Sequence, residues 1–377
     1  MICGRNDGEG SDMKEYRVGV IGATGMVGQR FVSLLKDHPW FRVTCVAASA
    51  RSAGKSYREA VGERWAFDWP IPDNVADLTV ADAADIDAVA EKVDFVFCAV
   101  DMKKEEIRAL EEAYARHEIP VVSNNSACRG LEDVPMVVPE INAGHLAVIP
   151  TQRRRLGCSR GFIAVKPNCS IQSYVPALTP LLDFRPTQVS VCTYQAISGA
   201  GKTFKTWPEM VDNVIPYIGG EDEKSEREPL KLWGSVQDSG NGPVIVNAEA
   251  PVISAQCLRV AASDGHMAAV SVSFAEKVTK EQILERWANY ETEAQRLELP
   301  SAPKPFLQYF EDPSRPQTRL DRDFQNGFGV SIGRLREDRI FDWRFVCLSH
   351  NTIRGAAGGG ILTAELLCRQ GWIEPKA

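Results

Sequence analysis

The sequence predicts an α/β protein in which a Rossmann-like, doubly wound parallel sheet is followed by a second, α+β domain with a mixed sheet. Two observations carry this prediction. In the first half of the chain, short apolar runs alternate with helical patterns, as in a parallel sheet covered on both faces. After Asn168 the pattern changes to short alternating strands, which favour an antiparallel or mixed sheet. The 377 residues, 44% of them hydrophobic, are enough for two domains with substantial cores.

The first domain is predicted as a regular succession of strands and helices. The opening unit is a strand, a glycine turn and a helix, whose apolar positions 27, 31, 34 and 35 share one face. An Ala- and Asp-rich helical stretch precedes the third strand. The predicted strands cover residues 17–22, 41–48, 94–100, 119–123 and 161–165, and the predicted helices cover residues 26–36 and 103–117.

The second domain is predicted from strand-like runs at residues 188–195, 243–248, 257–261 and 268–274. Residues 300–328 carry five prolines and little helical pattern, so we expect an arm or long surface connection that packs on a partner subunit. A small-residue turn at 355–360 and a closing helix, Ile361 to Arg369, are expected to return to the first domain. The predicted division is therefore 13–166 plus 351–377 for a nucleotide-binding domain and 167–350 for a catalytic and dimerisation domain.

Composition excludes several classes of partner. A formal net charge of −7 argues against nucleic acid or an anionic membrane surface as the main partner. The ten cysteines are scattered without a CxxC pair or a Cys/His cluster at zinc spacing, so we expect no metal site, reduced thiols and a cytoplasmic protein. The first dozen residues are polar and acidic and lack the apolar stretch of a secretory signal.

Asn168-Cys169-Ser170 marks the candidate nucleophile. Cys169 lies between the extended run 161–165 and a mostly apolar segment, residues 171–182. If that segment begins as a helix, its free N–H groups would lower the thiol pKa and favour the nucleophilic thiolate. A buried cysteine more often serves only as a small core hydrophobe, so the interpretation depends on the other motifs of the chain.

A glycine turn between the first strand and helix predicts nucleotide binding. Glycines at this place allow a tight turn and a close approach of the backbone to a pyrophosphate. The residues expected to contact the cofactor here are Gly22, Thr24, Gly25, Met26, Val27 and Gly28. At the end of the second strand, Ser49, Arg51 and Ser52 stand where an NAD site usually presents an acid, so NADP is predicted over NAD.

Six motifs give the chain a resemblance to aspartate-β-semialdehyde dehydrogenase, most closely to the branch found in archaea and fungi. The resemblance runs from Arg17 to about Arg369, and the six occur in the family's order. They are Gly22 to Gly28, Ser123 to Arg129, Pro167 to Ser170, Gln195 to Gly201, Arg259 to His266, and Asn351 to Gly358.

The resemblance implies a glyceraldehyde-3-phosphate dehydrogenase-like architecture and the reversible, NADPH-dependent reductive dephosphorylation of L-aspartyl-4-phosphate to L-aspartate-4-semialdehyde. This reaction belongs to the aspartate pathway to lysine, threonine and methionine. Cys169 would form the thiohemiacetal and thioester, His266 would act as acid and base, and Gln195 would orient the substrate. A thiolate suits this chemistry because its acyl adduct remains reactive toward phosphate, and a histidine of ordinary pKa suits proton transfer near neutrality.

The resemblance also implies the binding residues. Arg259 would hold the substrate α-carboxylate, for which a guanidinium fork is well suited. Glu221 and Lys224 are three apart, hence on one face if their segment is helical, and match the positions that hold the amino group and the phosphate. Arg129 and Asn168 would complete the phosphate site. Ser198, Gly199 and Asn351 would contact the cofactor, Asn351 at the nicotinamide amide. We expect a homodimer or homotetramer.

Three alternatives stay open. N-acetyl-glutamyl-phosphate reductase and malonyl-CoA reductase are sister activities on the same scaffold. Asn168 before the cysteine fits the aspartyl branch better than the acetylglutamyl one, whereas malonyl-CoA reductase would reuse Cys169 and His266. The third alternative, a non-enzymatic NADP-binding sensor, has no need of Cys169, Gln195, Arg259 and His266 together.

Overall fold

The computed structural model describes residues 14–376. Met13, where the predicted first domain begins, lies outside the described residues, and so do the polar residues before it, for which no secretory signal is expected.

Six parallel strands form the first sheet: β1 (Tyr16–Ile21), β2 (Phe41–Ala48), β3 (Ala81–Asp82), β4 (Phe95–Cys98), β5 (Val121–Ser123) and β6 (Ile163–Val165). Their order is β3-β2-β1-β4-β5-β6, the doubly wound order of dinucleotide-binding folds, in which ligands bind beyond the carboxyl ends of the strands at the switch point, here between β1 and β4. The predicted parallel sheet is confirmed. The predicted third strand is the fourth in the structure, because the short β3 pairs with the end of β2.

Seven helices accompany the described part of this sheet: α1 (Met26–Leu34), α2 (Tyr57–Val61), α3 (Asp73–Ala76), α4 (Ile86–Ala90), α5 (Lys104–Arg116), α6 (Pro139–Asn142) and α7 (Ile149–Leu156). Helix α1 buries Phe31 and Val32 against one face of the sheet, and α5 buries Tyr114 and Ala115 against the other. The strands between them are therefore covered on both sides, which explains why they read as short apolar runs.

The remaining strands are β7 (Pro186–Gln195), β8 (Val214–Ile215), β9 (Ser235–Asp238), β10 (Pro243–Val246), β11 (Val252–Val260), β12 (His266–Phe274), β13 (Leu307–Phe310), β14 (Val330–Glu337) and β15 (Trp343–Ser349). A seven-stranded mixed sheet has the order β13-β14-β15-β12-β7-β11-β8. The mixed sheet is as predicted, except that the predicted strand at 243–248 forms a separate two-stranded hairpin, β9 with β10.

The helices of the second half are α8 (Tyr174–Leu178), α9 (Glu221–Leu232), α10 (Lys280–Ala288), α11 (Glu293–Arg296), α12 (Thr318–Asp321) and α13 (Gly358–Arg369). One face of the mixed sheet is buried: Val191 of β7 and Val270 of β12 join the core with Leu178 of α8 and Ile283 of α10. The side chains of the opposite face alternate with these and are partly or fully exposed.

The structure corrects three sequence expectations. The segment after Cys169 is not one helix but α8 between two 3-10 segments, Ser170–Gln172 and Thr179–Phe184, because Pro176 and Pro180 lack the N–H groups that a continuous helix requires. The segment 300–328 is not wholly an arm, since β13 lies within it and pairs in parallel with β14. The turn predicted at 355–360 begins in a short π-helical segment, Ile353–Ala357, which is kinked at Ala356, and ends inside α13, which starts at Gly358.

The closing helix packs on the first sheet, as expected. A Cβ added to Gly360 of α13 would lie 2.9 Å from the ring of Phe31 in α1, so the two helices touch through this glycine. The residues of α13 from Gly360 to Cys368 are all buried. The first and last elements of the described residues, β1 and α13, thus belong to the same layered unit, with the mixed sheet inserted between them in sequence.

Candidate active site

Three strands of the mixed sheet bring polar side chains to one edge. Gln195 ends β7, and Arg259, near the end of the parallel strand β11, is its register partner. Strand β12 runs antiparallel to β7 and begins at His266. Two carboxyl ends and one amino end therefore meet at this edge, and all three side chains are buried. The structure brings together these three predicted site residues.

Cys169 reaches the same place from the first sheet. It follows β6, whose carboxyl end lies on the edge that carries the glycine turn after β1. The Sγ atom of Cys169 lies 3.4 Å from Nε2 of His266. A Cβ on Gly355 would come within 2.8 Å of the Cys169 Cβ, so the π-helix approaches the cysteine only because residue 355 has no side chain.

The protonation of this pair differs from the sequence expectation. Burial and then Glu221 raise the pKa of Cys169, so the lowering expected if a helix began directly after the cysteine does not occur. Only a three-residue 3-10 segment follows the cysteine. Burial, with Arg259 nearby, lowers the pKa of His266 to about 3, away from the expected value near neutrality. The resting pair is a thiol beside a neutral imidazole.

The tautomer of His266 follows from its second nitrogen. The backbone N–H of Ala196 donates to Nδ1 at 3.1 Å. Because a neutral imidazole carries one proton, that proton is on Nε2. His266 therefore presents an N–H toward the cysteine sulfur.

Glu221, at the start of α9, connects three other predicted residues of the site. Its carboxylate accepts hydrogen bonds from Nδ2 of Asn168 at 2.9 Å, Nζ of Lys224 at 2.8 Å and Nε2 of Gln195 at 3.3 Å. Burial acts to raise the pKa of Glu221, but Lys224 and these hydrogen bonds outweigh it and hold the pKa below its usual range. The segment is helical, so Glu221 and Lys224 share one face, as expected for that case, and they form an ion pair. An ionised carboxylate therefore faces the site.

Arg259 lies beside the cysteine–histidine pair. Its Nη1 donates to the carbonyl of Ala196 at 2.7 Å. A Cβ on Gly199 would lie 2.8 Å from that Nη1 and 2.9 Å from the His266 ring, so Gly199 leaves the room that both side chains occupy. With Nη1 bound in this way, the other N–H groups of the Arg259 guanidinium can donate to a carboxylate.

Arg129 is paired with a carboxylate. Its Nη1 donates to Oε1 of Glu228 at 2.9 Å, and its Nη2 donates to the carbonyl of Asn124 at 3.1 Å. Within residues 14–376, the buried Nε of Arg129 has no hydrogen-bond partner. The other oxygen of Glu228 accepts from the backbone N–H of Asn168 at 2.5 Å. Glu228 thus links Arg129 to the loop that carries Cys169. The Nε–H of Arg129 is a hydrogen-bond donor without an acceptor among the described residues.

The glycine turn has the close packing that a nucleotide site requires. Gly22 has φ +83, and a Cβ there would lie 2.3 Å from the carbonyl oxygen of Ala99. A Cβ on Gly28 would lie 2.2 Å from the oxygen of Gly22. At Gly25, by contrast, a Cβ would have a single neighbour in the described chain, at 3.5 Å, which leaves the backbone open to a ligand. Thr24, Met26 and Val27 complete this turn, and Gln29 fixes it by donating to the Thr24 carbonyl.

The remaining predicted cofactor residues form two groups. Ser49, Arg51 and Ser52 lie in the turn after β2, where Ser49 and Arg51 are exposed. Asn351 donates to the hydroxyl of Ser198 at 2.9 Å and accepts from the backbone N–H of Gly265 at 2.8 Å. Asn351 and Ser198 therefore stand together beside the strand end that carries His266.

Two charged residues of the site were missed by the sequence analysis. Glu228 stands in the acidic run at the start of α9, where the pattern gives no sign of which carboxylate faces inward. Lys166 is two residues before Asn168 and is 2% exposed. The pKa of Lys166 is lowered by burial and by Arg129 to about 7. A lysine directly before the Pro-Asn-Cys motif was the available signal.

Metal-binding clusters and membrane-spanning helices are both absent from residues 14–376. The described side chains form no cluster of three or more His, Cys, Asp or Glu that could hold a metal ion. In the same residues, every helix is too short or too polar to cross a membrane.

Comparison with known proteins agrees with this geometry. Residues 17–149 match the family model "Semialdehyde dehydrogenase, NAD binding domain", and residues 178–354 match "Semialdehyde dehydrogenase, dimerisation domain". Two curated proteins named aspartate-semialdehyde dehydrogenase, from Schizosaccharomyces pombe and Archaeoglobus fulgidus, are each 43% identical over 94% of this chain and 98% of their own length.

Among solved structures, aspartate semialdehyde dehydrogenase with NADP from Candida albicans is similar with a TM-score of 0.85 and 37% identity, covering 96% of this chain and 100% of that one. The fold, the arrangement around Cys169 and these similarities lead to one conclusion: the chain belongs to the aspartate-semialdehyde dehydrogenase family.

Proposed function

We propose that this chain catalyses the reversible NADPH-dependent conversion of L-aspartyl-4-phosphate to L-aspartate-4-semialdehyde and phosphate, through a thioester on Cys169. The observation that carries the proposal is the 3.4 Å approach of Cys169 Sγ to Nε2 of His266, with the buried side chains of Arg259 and Glu221 at the same strand ends. Family membership supports the same reaction.

The proposed substrate contacts follow from charge. Arg259 binds the α-carboxylate, because its guanidinium is buried beside the nucleophile and can donate two parallel hydrogen bonds. Glu221 binds the amino group, since it is the ionised carboxylate that faces the same space. Gln195, held by Glu221, orients the reacting carbonyl group near the sulfur.

The proposed phosphate site adjoins Arg129, which Glu228 links to the loop that carries Cys169. A cavity is lined by Arg129, Lys224 and Lys231, together with Lys104, Arg227 and the carboxylates of Glu223 and Glu228. The buried Nε of Arg129 has no hydrogen-bond partner among the described residues. Asn168 completes the site through its position between Glu221 and Glu228. Phosphate would enter here to displace the sulfur from the thioester.

The residues that would hold NADP fit a dinucleotide. The open backbone at Gly25, together with Thr24, Met26 and Val27, suits the pyrophosphate. Ser49, Arg51 and Ser52 suit the 2′-phosphate, and Asn351, Ser198 and Gly199 suit the nicotinamide end beside His266. When bound, NADP supplies the two-electron acceptor for the aldehyde. The NADP in the Candida albicans relative supports this choice of cofactor.

The proposal extends to assembly and location. Residues 13–166 with 351–377 form the NADP-binding domain, and residues 167–350 form the catalytic and dimerisation domain. The match of 178–354 to a dimerisation-domain model supports a homodimer; a dimer of such dimers would give the tetramer. A reduced, cytoplasmic setting keeps Cys169 a free thiol.

A phosphate-dependent assay tests the function. Purified chain, semialdehyde and NADP are followed at the reduced-nicotinamide absorbance band with and without phosphate. We expect steady turnover only with phosphate, and at most one equivalent of reduced cofactor per active site without it. Steady turnover at the same rate with and without phosphate would contradict the proposal. A second arm with malonyl-CoA and NADPH tests the sister activity, and faster turnover of that thioester would replace the proposed substrate.

A further inference from the structure

Lys231 is a buried lysine whose hydrogens are all donated to one loop. It stands in the last turn of α9 and is 6% exposed. Its Nζ donates to the backbone carbonyls of Arg129 at 2.7 Å, Leu131 at 2.6 Å and Val134 at 2.9 Å. Because an ammonium group has three hydrogens, these three acceptors use all of them.

The three carbonyls belong to an irregular loop after β5. Residues 124–135 all lie in the described part of the chain and form neither a helix nor a strand, so their buried carbonyls need partners from other segments. Gly130 is exposed, and a Cβ added there would have no described atom within 4 Å, so packing does not fix the backbone at this point. The ammonium of Lys231 binds the backbone on both sides of this glycine.

Two lysines of α9 line the cavity of the proposed phosphate site, and their bonding differs. Lys231 has donated its three hydrogens and has none left for a phosphate oxygen. Among the described residues, the Nζ of Lys224 has one acceptor, Glu221 at 2.8 Å, and the Lys224 side chain is 30% exposed. Lys224 can therefore donate to an anion in the cavity, whereas Lys231 acts on the loop.

Helix α9 holds Arg129 at two points. Glu228, three residues before Lys231 and on the same face of the helix, accepts from Nη1 of Arg129 at 2.9 Å. Lys231 donates to the backbone carbonyl of the same arginine. The place of the unpartnered Nε–H of Arg129 therefore follows from these two contacts, one on the side chain and one on the backbone.

The charge of Lys231 is retained at neutral pH. Burial lowers the pKa of Lys231 to about 8, while Asp133 and then Glu228 act to raise it. At pH 7 most molecules therefore carry the ammonium form, which is the form that supplies all three hydrogens.

We propose that Lys231 is a positioning residue for the phosphate step: it holds the loop 129–134 so that Arg129 presents its Nε–H to the anion, and it does not bind the anion itself. The inference rests on the proposed function, because it concerns how the phosphate site of that reaction is built.

Calorimetric titration of the full chain with inorganic phosphate at pH 7 tests this assignment. Lys231→Met keeps most of the apolar stem and removes the donors. We expect the dissociation constant for phosphate to rise about tenfold, the value of one charge-assisted hydrogen bond to the anion, and the dissociation constant for NADP to change by less than about twofold. Lys92→Met, which removes an exposed lysine outside the cavity, is the matched control and should keep both constants of the parent.

A double-mutant cycle with Arg129→Met separates positioning from a direct effect of the lysine charge. If Lys231 acts through Arg129, Lys231→Met should weaken phosphate binding by less than about twofold once Arg129 has been replaced. A lysine that acts on the anion by its charge alone would weaken binding by the same factor in both backgrounds. Additive losses, parent-like phosphate binding by Lys231→Met, or an equal loss of NADP binding would overturn the proposal.

Lys231→Gln is the second variant, used if Lys231→Met does not fold as judged by circular dichroism. Its amide has two hydrogens on a shorter stem, so it cannot supply all three bonds. The same loss of phosphate affinity and the same lack of additivity with Arg129→Met are expected, and parent-like phosphate binding would again refute the role of Lys231. The phosphate titration contains no semialdehyde, so a parent chain that binds phosphate without turnover would refute the proposed reaction and leave this inference standing.

Discussion

At the residue scale, the charged and polar side chains of the site pair with one another. Glu221 accepts from Asn168, Lys224 and Gln195, and Glu228 accepts from Arg129. A buried charge without a partner is costly, so these pairs stabilise the two buried carboxylates.

The buried neutral imidazole of His266 makes the protein sensitive to acid. Its pKa is about 3 in the folded chain, whereas an unfolded histidine titrates at about 6.5. Between these values the unfolded state binds the extra proton, so stability is full above about pH 6.5 and falls as the pH falls. At pH 5 the loss from this group is about 2 kcal/mol.

We therefore expect His266→Gln to lose about 2 kcal/mol less than the parent in unfolding free energy between pH 7.5 and pH 5. Urea unfolding at the two pH values measures this difference. The exposed His117 provides the control, and His117→Gln should lose as much as the parent. Equal losses for all three proteins would show that the imidazole of His266 is not buried in its neutral form.

Glu228 is expected to influence phosphate binding through Arg129. Glu228→Gln removes the charge that holds Nη1 but keeps an acceptor for the Asn168 N–H. Hydrogen bonds to charged groups contribute about 1.5–3 kcal/mol, so we expect the KM for phosphate to rise about tenfold while the KM for semialdehyde changes little. Glu226→Gln is the matched control, because its carboxylate bonds the Ala255 N–H on β11 instead. Equal increases in both KM values for Glu228→Gln would indicate a general structural role.

Arg51 should distinguish the two nicotinamide cofactors. Its guanidinium is exposed in the turn after β2 and can pair with a 2′-phosphate, which only NADP carries. Arg51→Ala is expected to weaken NADP binding about tenfold, the value of one charge-assisted hydrogen bond, and to leave NAD binding nearly unchanged. Titration of both cofactors by calorimetry gives the comparison, and Arg58→Ala on α2 is the control. Equal losses for NADP and NAD would contradict the assignment.

Sequence reasoning identifies the residue types of the site better than their partners. Cys169, Gln195, Arg259 and His266 could be named because each stands in a motif at a strand end. The partners of Arg129 and the proton state of His266 could not, because they depend on burial and on contacts across about a hundred residues of sequence. A thiol pKa argued from a helix N-terminus failed for the same reason: burial outweighs three residues of 3-10 helix.

At the element scale, the site exists because strand ends of two sheets face each other. The parallel pair β7 and β11 delivers Gln195 and Arg259 in register, and the antiparallel β12 starts there with His266. The π-helix Ile353–Ala357 then closes over Cys169. Period-two patterns predicted β7 and β12 well. The π-helical segment was predicted as a turn because Gly355, Ala356 and Ala357 give no helical periodicity, and the backbone is kinked at Ala356.

Gly355 tests this closure. A Cβ at this position would lie 2.8 Å from the Cys169 Cβ, closer than such atoms approach. Gly355→Ala should displace the nucleophile, and a misplacement of about 1 Å can cost about 100-fold in kcat. Gly144→Ala, where no described atom lies within 4 Å of the added Cβ, is the control and should keep parent activity. Parent-level kcat for Gly355→Ala would show that the segment around Gly355 and the loop that carries Cys169 can move apart without loss of activity.

At the scale of the whole molecule, the outward face of the mixed sheet is suited to a second copy. Tyr194 on β7 is 37% exposed and Val252 on β11 is 70% exposed. Ala269, in the middle of β12, lies on the same face between Cys192 and Val346. A broad, partly apolar sheet face of this kind is typical of an isologous dimer interface.

Ala269→Arg should separate the dimer. The added side chain points away from the core, so the fold is kept, but a charge is placed in the centre of the proposed interface. We expect sedimentation velocity to show a monomer for this variant and a dimer for the parent. Ile340→Arg is the control, since Ile340 is 88% exposed at the turn between β14 and β15. A parent-like dimer for Ala269→Arg would place the interface on another surface.

The central claim is that Cys169 becomes acylated during turnover, and trapping that intermediate tests it most directly. The chain is mixed with semialdehyde and NADP in the absence of phosphate, quenched in acid, digested and examined by mass spectrometry. The account predicts an aspartyl adduct on the peptide that contains Cys169, its loss on adding phosphate before the quench, and no adduct in Cys169→Ala. An adduct on another side chain, or none under conditions where reduced cofactor accumulates, would contradict it.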